Sequence, residues 1–365
     1  MTIKTTFIAS APFEAARSVS ILPENHRSRK LHGHSFLATI QCSMPAGIAP
    51  YPGGELEVMK SRLALQIAKL DYSDLNKIVE TPTDENLARW VNSHCYVPST
   101  QKIGVQSTAD SGVEIDTHGK AHVWRRYVFQ SIRRLKNLPE GHVCGAEHSH
   151  SFTVIVHVDH EIGERDISVD YDFIDERWAH VSKDLNFVNL NSVSGLGEPS
   201  TENLAKWVWT QLKKEVQDVS RVTIYEAPFC GVTFNGINFH VWNESSFSCG
   251  VLRRTVSSIS QSELVTSHQS FSVRIYVSQP SIEDSNLMAA TGGAKECLDT
   301  VLALIDSKMV AQLPEFLDSS TKCIAMWIHK QLAQQIPNVE RVELFETRGC
   351  GVIVSSGFAE TVIPV

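Results

Sequence analysis

The residues best suited to chemistry are six histidines that recur at one spacing. Residues 22–36 read LPENHRSRKLHGHSF, and residues 138–152 read LPEGHVCGAEHSHSF. Both segments follow the pattern L-P-E-x-H-x5-H-x-H-S-F, so the matching histidines are His26, His32, His34, His142, His148 and His150. A His-x-His pair on a strand places both imidazoles on one face, where they can hold a single metal ion. The pattern therefore predicts a Zn²⁺ site in one or both segments.

These segments belong to a longer repeat with a period of about 120 residues. The His-x-His-Ser-Phe motif has a weaker third form, Ser-His-Gln-Ser-Phe, at 267–271. Two more markers recur in order: Asn-Leu-Ala-x-Trp-Val, which begins at 86 and 203 with a looser form at 324–328, and Ser/Cys-Gly-Val, which begins at 111, 230 and 350. We interpret the chain as three copies of one unit: repeat 1 (1–118), repeat 2 (119–245) and repeat 3 (246–365).

Each repeat is predicted to have the element order ββααββ. In repeat 2, residues 151–158 are strongly β-branched, residues 173–185 have a helical pattern, and Pro-Ser-Thr-Glu at 199–202 is typical of a helix start. Amphipathic strands backed by helices leave two open edges per repeat, and three joined repeats can remove these edges by closing into a barrel. The sequence therefore predicts an α+β fold built on a twelve-stranded antiparallel barrel with helices on one face.

The bulk composition narrows the class of protein. A net charge of −8 and a pI near 6.0 argue against a protein that binds nucleic acid through charge. No apolar run reaches the roughly 18 residues of a membrane helix, and the N-terminal stretch is poor material for a signal peptide. The eight cysteines are scattered without a C-x-x-C pair, which is typical of reduced thiols. We predict a cytoplasmic globular protein.

In this order, the motifs resemble those of the 6-pyruvoyl-tetrahydropterin synthase and 6-carboxytetrahydropterin synthase family, which has the T-fold (tunnelling fold). The family pattern runs F-x-A-A-H, C-x3-H-G-H, L-D-H-x-x-L-N and P-T-x-E-N-L-A, and its terminal strand ends in Glu-Thr. In that family three subunits build one twelve-stranded barrel and two barrels stack. The resemblance covers all three repeats and implies a pseudo-trimer in one chain, a pterin or purine-like ligand, and a homodimer of stacked barrels.

The chain departs from the family pattern at the metal ligand and the nucleophile. Arg17 and Arg133 stand where the family has its first zinc histidine. They could neutralise a phosphate or carboxylate of the ligand, or form a salt bridge with a core carboxylate. The family's nucleophilic cysteine is Ser28 in repeat 1 and Cys144 in repeat 2. Cys144 is a candidate to move a proton during the reaction, and Glu147, beside His148, is an alternative acid or base.

The family's Asp-His pair is also altered. It reads Asp71-Tyr72 in repeat 1 and Asn186-Phe187 in repeat 2, and repeat 3 has no clear counterpart. Asp71 could still assist Cys144 across a junction between repeats. We count Asp71 among the candidate catalytic residues.

The glutamate that anchors the pterin in the family is Ser107, Glu226 and Glu346 in the three repeats. A carboxylate can bind the 2-amino-4-oxo edge of such a ring through two charge-assisted hydrogen bonds. His26 and His142 each precede a His-x-His pair by six residues and could replace the lost third zinc ligand. If sites form between adjacent repeats, the expected combinations are His26, His32 and His34 with Glu226, and His142, His148 and His150 with Glu346.

Two classes of function follow from this reading. The first is a pterin-binding enzyme in which Zn²⁺ assists a carbon–oxygen lyase or retro-aldol reaction on the pterin side chain. The second is a non-catalytic pterin- or purine-binding protein, or a structural partner, whose divergent repeats keep the barrel closed. Another T-fold activity, of the cyclohydrolase or urate oxidase type, is a third and weaker interpretation.

Overall fold

A computed structural model describes residues 3–45, 47–51, 53–138, 140–162, 167–258, 261–279, 287–357 and 362. Twelve antiparallel strands form one continuous sheet, and the first strand pairs with the last, so the sheet closes into a barrel. The predicted T-fold is confirmed. None of the helices in the described residues is long and apolar enough to cross a membrane.

The element order is ββααββ in every repeat, as predicted. Repeat 1 contains β1 (Lys4–Arg17), β2 (His32–Cys42), α1 (Glu55–Ile67), α2 (Asp84–His94), β3 (Thr100–Thr108) and β4 (Ser111–Asp116). Repeat 2 contains β5 (Lys120–Arg133), β6 (His148–Glu161), α3 (Tyr171–Ser182), α4 (Thr201–Glu215), β7 (Val219–Ala227) and β8 (Cys230–Phe234). Repeat 3 contains β9 (Phe239–Ser258), β10 (Gln261–Gln279), α5 (Leu287–Ala303), α6 (Thr321–Gln335), β11 (Val339–Thr347) and β12 (Cys350–Ser355). A two-residue strand, Ser73–Asp74, adds to β1 in parallel.

Hydrogen-bonded strand pairs join neighbouring repeats. β4 pairs with β5, β8 pairs with β9, and β12 returns to pair with β1. The predicted boundary at 118 lies in the turn between β4 and β5, but the predicted boundary at 245 falls inside β9. Repeat 3 therefore begins after the turn at 235–238, since its first strand starts at Phe239.

A pair of stacked phenylalanines sets the register of the first two strands in each repeat. One member lies on the first strand, and the other is the phenylalanine of the His-x-His-Ser-Phe motif or of its third form. The three pairs, with ring centroids 4.7, 5.1 and 5.3 Å apart, are Phe13 with Phe36, Phe129 with Phe152, and Phe247 with Phe271. These residues are buried between the barrel and the helices. The same register places Arg17 opposite His32 in repeat 1 and Arg133 opposite His148 in repeat 2.

The Ser/Cys-Gly-Val marker needs glycine for steric reasons. A Cβ at Gly231 would lie 2.2 Å from the carbonyl oxygen of Ile224 and 2.6 Å from the ring of Trp242. A Cβ at Gly112 would lie 2.8 Å from the ring of Trp124. The indole rings pack directly on the glycine backbone, so the repeated glycine is a packing requirement at the junctions.

Candidate functional site

A cavity of about 530 Å³ lies at the junction of repeats 1 and 2. β1 and β2 contribute Arg17, His32 and His34 to its wall, and α2 begins there with Asp84 and Glu85. The segment before α3, which belongs to repeat 2, closes the other side. Smaller cavities of about 240 and 290 Å³ lie at the junctions of repeats 2 and 3 and of repeats 3 and 1.

Arg133 occupies the centre of the predicted site in repeat 2. Its guanidinium is fully buried and lies 2.6 Å from a carboxylate oxygen of Glu226. It also donates to Nε2 of His148 at 3.4 Å and to Nε2 of His150 at 3.3 Å, and its carbon lies 5.2 Å above the ring of Phe152. The His-x-His pair thus binds a cation that belongs to the chain itself.

The imidazoles hold the tautomer that this arrangement requires. Nδ1 of His148 donates to the carbonyl of Ala146 at 2.9 Å, and Nδ1 of His32 donates to the carbonyl of Lys30 at 2.6 Å. Each Nε2 therefore keeps a lone pair that points inward. Burial, together with the charge of Arg17, lowers the pKa of His34 to about 4, and burial with Arg133 lowers the pKa of His150. Both rings are therefore neutral at neutral pH.

Zinc does not fit repeat 2 in this arrangement. A zinc ligand must offer its lone pair to the metal, but Arg133 already occupies both lone pairs. An arginine stays charged at any physiological pH, so it would also repel a dication placed beside it. In repeat 1, the Arg17 guanidinium lies 5.1 Å above the ring of Phe36, the counterpart of the contact in repeat 2. A guanidinium thus lies beside both His-x-His pairs.

His26 and His142 each make a local contact with the backbone. Their Nδ1 atoms accept the backbone N–H of Ser28 at 3.1 Å and of Cys144 at 3.2 Å, so each caps a short turn. In a neutral ring the proton must then sit on Nε2, which removes the lone pair that a metal would use. These contacts do not support the prediction that the two residues supply the third zinc ligand, and it stays a prediction.

His26 instead contacts repeat 2. Its Nε2 lies 2.9 Å from Asp172 and 3.8 Å from Asp170, although the atoms are not aligned as a hydrogen bond. The three potential ligand atoms lie within 4.8 Å of one another, which is close enough for a shared metal ion. A proton on Nε2 leaves no lone pair there for coordination, so this geometry favours a polar contact between the repeats.

The predicted pairing of histidines and glutamates across junctions is wrong. Glu226 lies in the same repeat as the histidine it approaches, 3.8 Å from Nε2 of His150. Glu346 lies 3.0 Å from Arg253, and Arg253 donates to Gln269 at 2.8 Å. Each carboxylate therefore closes the site of its own repeat.

One contact pattern recurs at all three junctions. A carboxylate receives a guanidinium on one oxygen and a hydroxyl on the other. In repeat 2 the hydroxyl on Glu226 comes from Thr201, and in repeat 3 the hydroxyl on Glu346 comes from Thr321. In repeat 1 the two positions are reversed, since the carboxylate lies at the helix start and the hydroxyl lies on the later strand. Asp84 accepts from Arg17 at 2.6 Å and from Ser107 at 2.7 Å.

Asp84 and Arg253 are members of these contact groups that the sequence did not point to. Asp84 is the first residue of α2, as Thr201 is of α4 and Thr321 is of α6. Repeat 1 has Ser107 where the other repeats have glutamate, and it has Asp84 where they have threonine. This compensation is visible when the three repeats are aligned. An acidic group at a helix start is also favoured by the helix dipole.

The three predicted catalytic residues do not assemble around a cavity. Glu147 is exposed and has a long contact of 3.4 Å from Asn189. Burial, followed by the charge of Glu226, raises the pKa of the Cys144 thiol, which disfavours the reactive thiolate. Among the described residues, neither Cys144 nor Glu147 lines the cavity between repeats 2 and 3.

Asp71 has a structural contact that recurs in every repeat. Its carboxylate accepts the backbone N–H of Glu14 at 2.9 Å. Asn186 accepts from Gln130 and Asp306 accepts from Ser248, both at 3.0 Å. Repeat 3 therefore does have a counterpart of this position. The following residues, Tyr72, Phe187 and Ser307, all have positive φ.

Comparison with known proteins places the chain in a family. The model of the 6-pyruvoyl tetrahydropterin synthase family matches residues 122–236 and 244–356, which is more than half of the chain. The chain belongs to this family. A dihydroneopterin monophosphate aldolase from Pyrococcus furiosus is 30% identical over 92 residues, which cover 25% of this chain and 74% of that protein.

Solved structures show a more distant similarity. The 6-pyruvoyl tetrahydropterin synthase of Caenorhabditis elegans is 19% identical, with 32% of this chain and 96% of that chain covered and a TM-score of 0.30. A uricase from Bacillus fastidious is 10% identical, with 74% of this chain and 93% of that chain covered and a TM-score of 0.28.

Exchange of His150 tests whether this ring is a hydrogen-bond acceptor. Gln269 holds the equivalent position in repeat 3, and its side-chain oxygen accepts from Arg253. We expect His150→Gln to change the free energy of unfolding by less than about 1 kcal/mol, and His150→Ala to cost about 1–3 kcal/mol because a buried donor loses its partner. Urea denaturation measures both values. Equal losses in the two variants would contradict the acceptor role.

Proposed function

We propose that the chain binds a pterin-like bicyclic heterocycle in the cavity between repeats 1 and 2, without a metal ion at the His-x-His pairs. The observation that carries the proposal is the lining of this cavity, in which Arg17, His32 and Glu85 of repeat 1 face a segment of repeat 2. Its volume of about 530 Å³ lies within the range of small-molecule sites, whereas the two equivalent cavities, of about 240 and 290 Å³, lie below it. Ser107, which is shorter than Glu226 and Glu346, contributes to the larger space.

The polar groups of this cavity suit a ring with both donors and acceptors. Among the described residues, the buried Nε–H of Arg17 has no hydrogen-bond partner, so it can donate to an acceptor atom of the ligand. Nε2 of His32 has a lone pair for a donor, because Nδ1 carries the proton. Burial raises the pKa of the Glu85 carboxyl, which accepts hydrogen bonds from Ser168 of repeat 2. A few such groups in a partly apolar wall are typical of ligand sites.

The predicted zinc-assisted lyase or retro-aldol reaction is not part of this proposal. Such a reaction needs a metal and a reactive base or thiolate close together. Arg133 takes the place of the metal in repeat 2, and the raised pKa of Cys144 keeps that thiol protonated at neutral pH. The geometry therefore supports the second class of function, binding without this chemistry.

Blocking the cavity tests where the ligand binds. Thr108 lines the cavity and pairs with Ser111. Ala227 holds the same position in repeat 2, because it pairs with Cys230, the counterpart of Ser111. We expect Thr108→Trp to weaken the binding of pterin at least tenfold, and Ala227→Trp to leave it unchanged. Titration of pterin fluorescence measures both. Equal affinity in wild type and Thr108→Trp would refute binding at this junction.

Metal analysis tests the second part of the proposal. We expect the purified protein to hold much less than one zinc per chain, and chelator treatment to leave its melting temperature and pterin affinity unchanged. The reason is that Arg133 already satisfies the histidine lone pairs. One zinc per chain that is lost in the double variant His148→Gln/His150→Gln would restore the enzyme interpretation.

The predicted homodimer would form through one end of the barrel. Tyr72 and Phe187 are 87% and 79% exposed. Their backbone N–H groups donate to the carbonyls of Glu14 and Gln130, which hold the same position on the first strands of repeats 1 and 2. Their counterpart in repeat 3 is Ser307. We expect Tyr72→Ser/Phe187→Ser, which copies repeat 3, to convert a dimer into a monomer in sedimentation velocity without lowering the melting temperature. A wild-type monomer would exclude the stacked barrels.

A further inference from the structure

We propose that the groove along α6, where repeat 3 meets repeat 1, is a second binding site, which takes a neutral planar aromatic molecule such as indole. The groove has a volume of about 770 Å³, larger than the cavity of the proposed function and within the range of small-molecule sites. Neither Arg253 nor Glu346 lines it. The inference therefore does not rest on the proposed function and concerns a different part of the molecule.

Repeat 2 shows what fills the equivalent space. Trp209, the ninth residue of α4, packs edge to face against Phe234, with ring centroids 5.5 Å apart. A Cβ at Gly236 would lie 2.7 Å from the indole ring, so the glycine makes room for this side chain. When the repeats are aligned, the two aromatic positions hold His329 and Val354 in repeat 3. These smaller side chains leave a space where repeat 2 has an aromatic pair.

Three polar atoms in the wall of the groove are buried without a hydrogen-bond partner among the described residues. They are Nε2 of His329, Nε1 of Trp327 and Oε2 of Glu55. In repeat 2 the counterpart of Trp327 is Trp207, which donates to the carbonyl of Ser194 at 3.0 Å.

His329 is the strongest of these three indications of a ligand. The residue is only 4% exposed, so water does not satisfy its ring. Burial lowers the pKa of His329, which keeps the imidazole neutral at neutral pH and lets it take the tautomer that accepts at Nε2. A buried polar atom without a partner is unfavourable, and an N–H or O–H group on a bound ring would satisfy it.

The rim of the groove carries exposed apolar side chains that repeat 2 lacks. Leu317 is 98% exposed and Met326 is 42% exposed, whereas the aligned residues of repeat 2 are Gly197 and Lys206. Ile3, which is 51% exposed, lines the groove from repeat 1. Exposed apolar groups around a concave surface are typical of a binding site. An aromatic ring in the groove would remove part of this surface from water.

Copying repeat 2 into the groove tests the proposal, with indole as the probe. We expect indole to raise the melting temperature of the full chain as its concentration rises, and calorimetry to give one indole site per chain. His329→Trp should abolish this binding, because the new side chain fills the space as Trp209 does in repeat 2. Asn92 is exposed at the equivalent position of α2, so Asn92→Trp is the matched control and should bind indole as wild type does.

A second comparison tests the hydrogen bond to His329. 1-Methylindole has no N–H group, so we expect wild type to bind it about tenfold more weakly than indole. His329→Ala should bind the two molecules equally. Met326→Lys, which also copies repeat 2 but changes only the exposed rim, should weaken indole binding severalfold, and it serves as the test if His329→Trp does not fold.

Three results would overturn the inference. The first is an absence of indole binding to wild type at millimolar concentration, and the second is equal binding by wild type and His329→Trp. The third is displacement of indole by pterin, which would place both molecules in the cavity between repeats 1 and 2. A protein that binds indole but no pterin would support this inference and refute the proposed function.

Discussion

A guanidinium–carboxylate pair at each junction is the interaction on which the site depends. Two charges withdrawn from water are costly unless they meet with good geometry, and loss of one partner costs about 3–5 kcal/mol. In all three repeats the carboxylate also receives a hydroxyl on its second oxygen. In repeat 2 the guanidinium of this pair also donates to His148 and His150, so both rings act as acceptors.

Closure of the barrel determines where these pairs can lie. Each repeat ends in a strand that hydrogen-bonds to the first strand of the next, and β12 completes the ring on β1. The arginine comes from the end of a first strand, while the carboxylate comes from the late part of the same repeat. The cavities form where these ends meet the neighbouring repeat, so their size depends on side chains from two repeats at once.

The fold was predictable from the sequence because its markers recur three times with one order and period. The motifs also singled out Arg17, Arg133, Glu226 and the paired histidines, and the structure brings Arg133, Glu226, His148 and His150 together. The contacts were not predictable. The tautomer of His26 depends on a backbone N–H two residues away, and the partner of Glu346 is displaced from its motif position by two residues.

The reversed pair in repeat 1 has an evolutionary consequence. Converting threonine and glutamate into Asp84 and Ser107 takes two substitutions, and either order passes through a mismatched intermediate. One order places two carboxylates beside a single buried guanidinium, and the other leaves that guanidinium with none. In a trimer of identical subunits, such an intermediate would weaken three junctions together. In a single chain it weakens one while the other two hold the ring, so covalent fusion opens mutational routes that a symmetric assembly lacks.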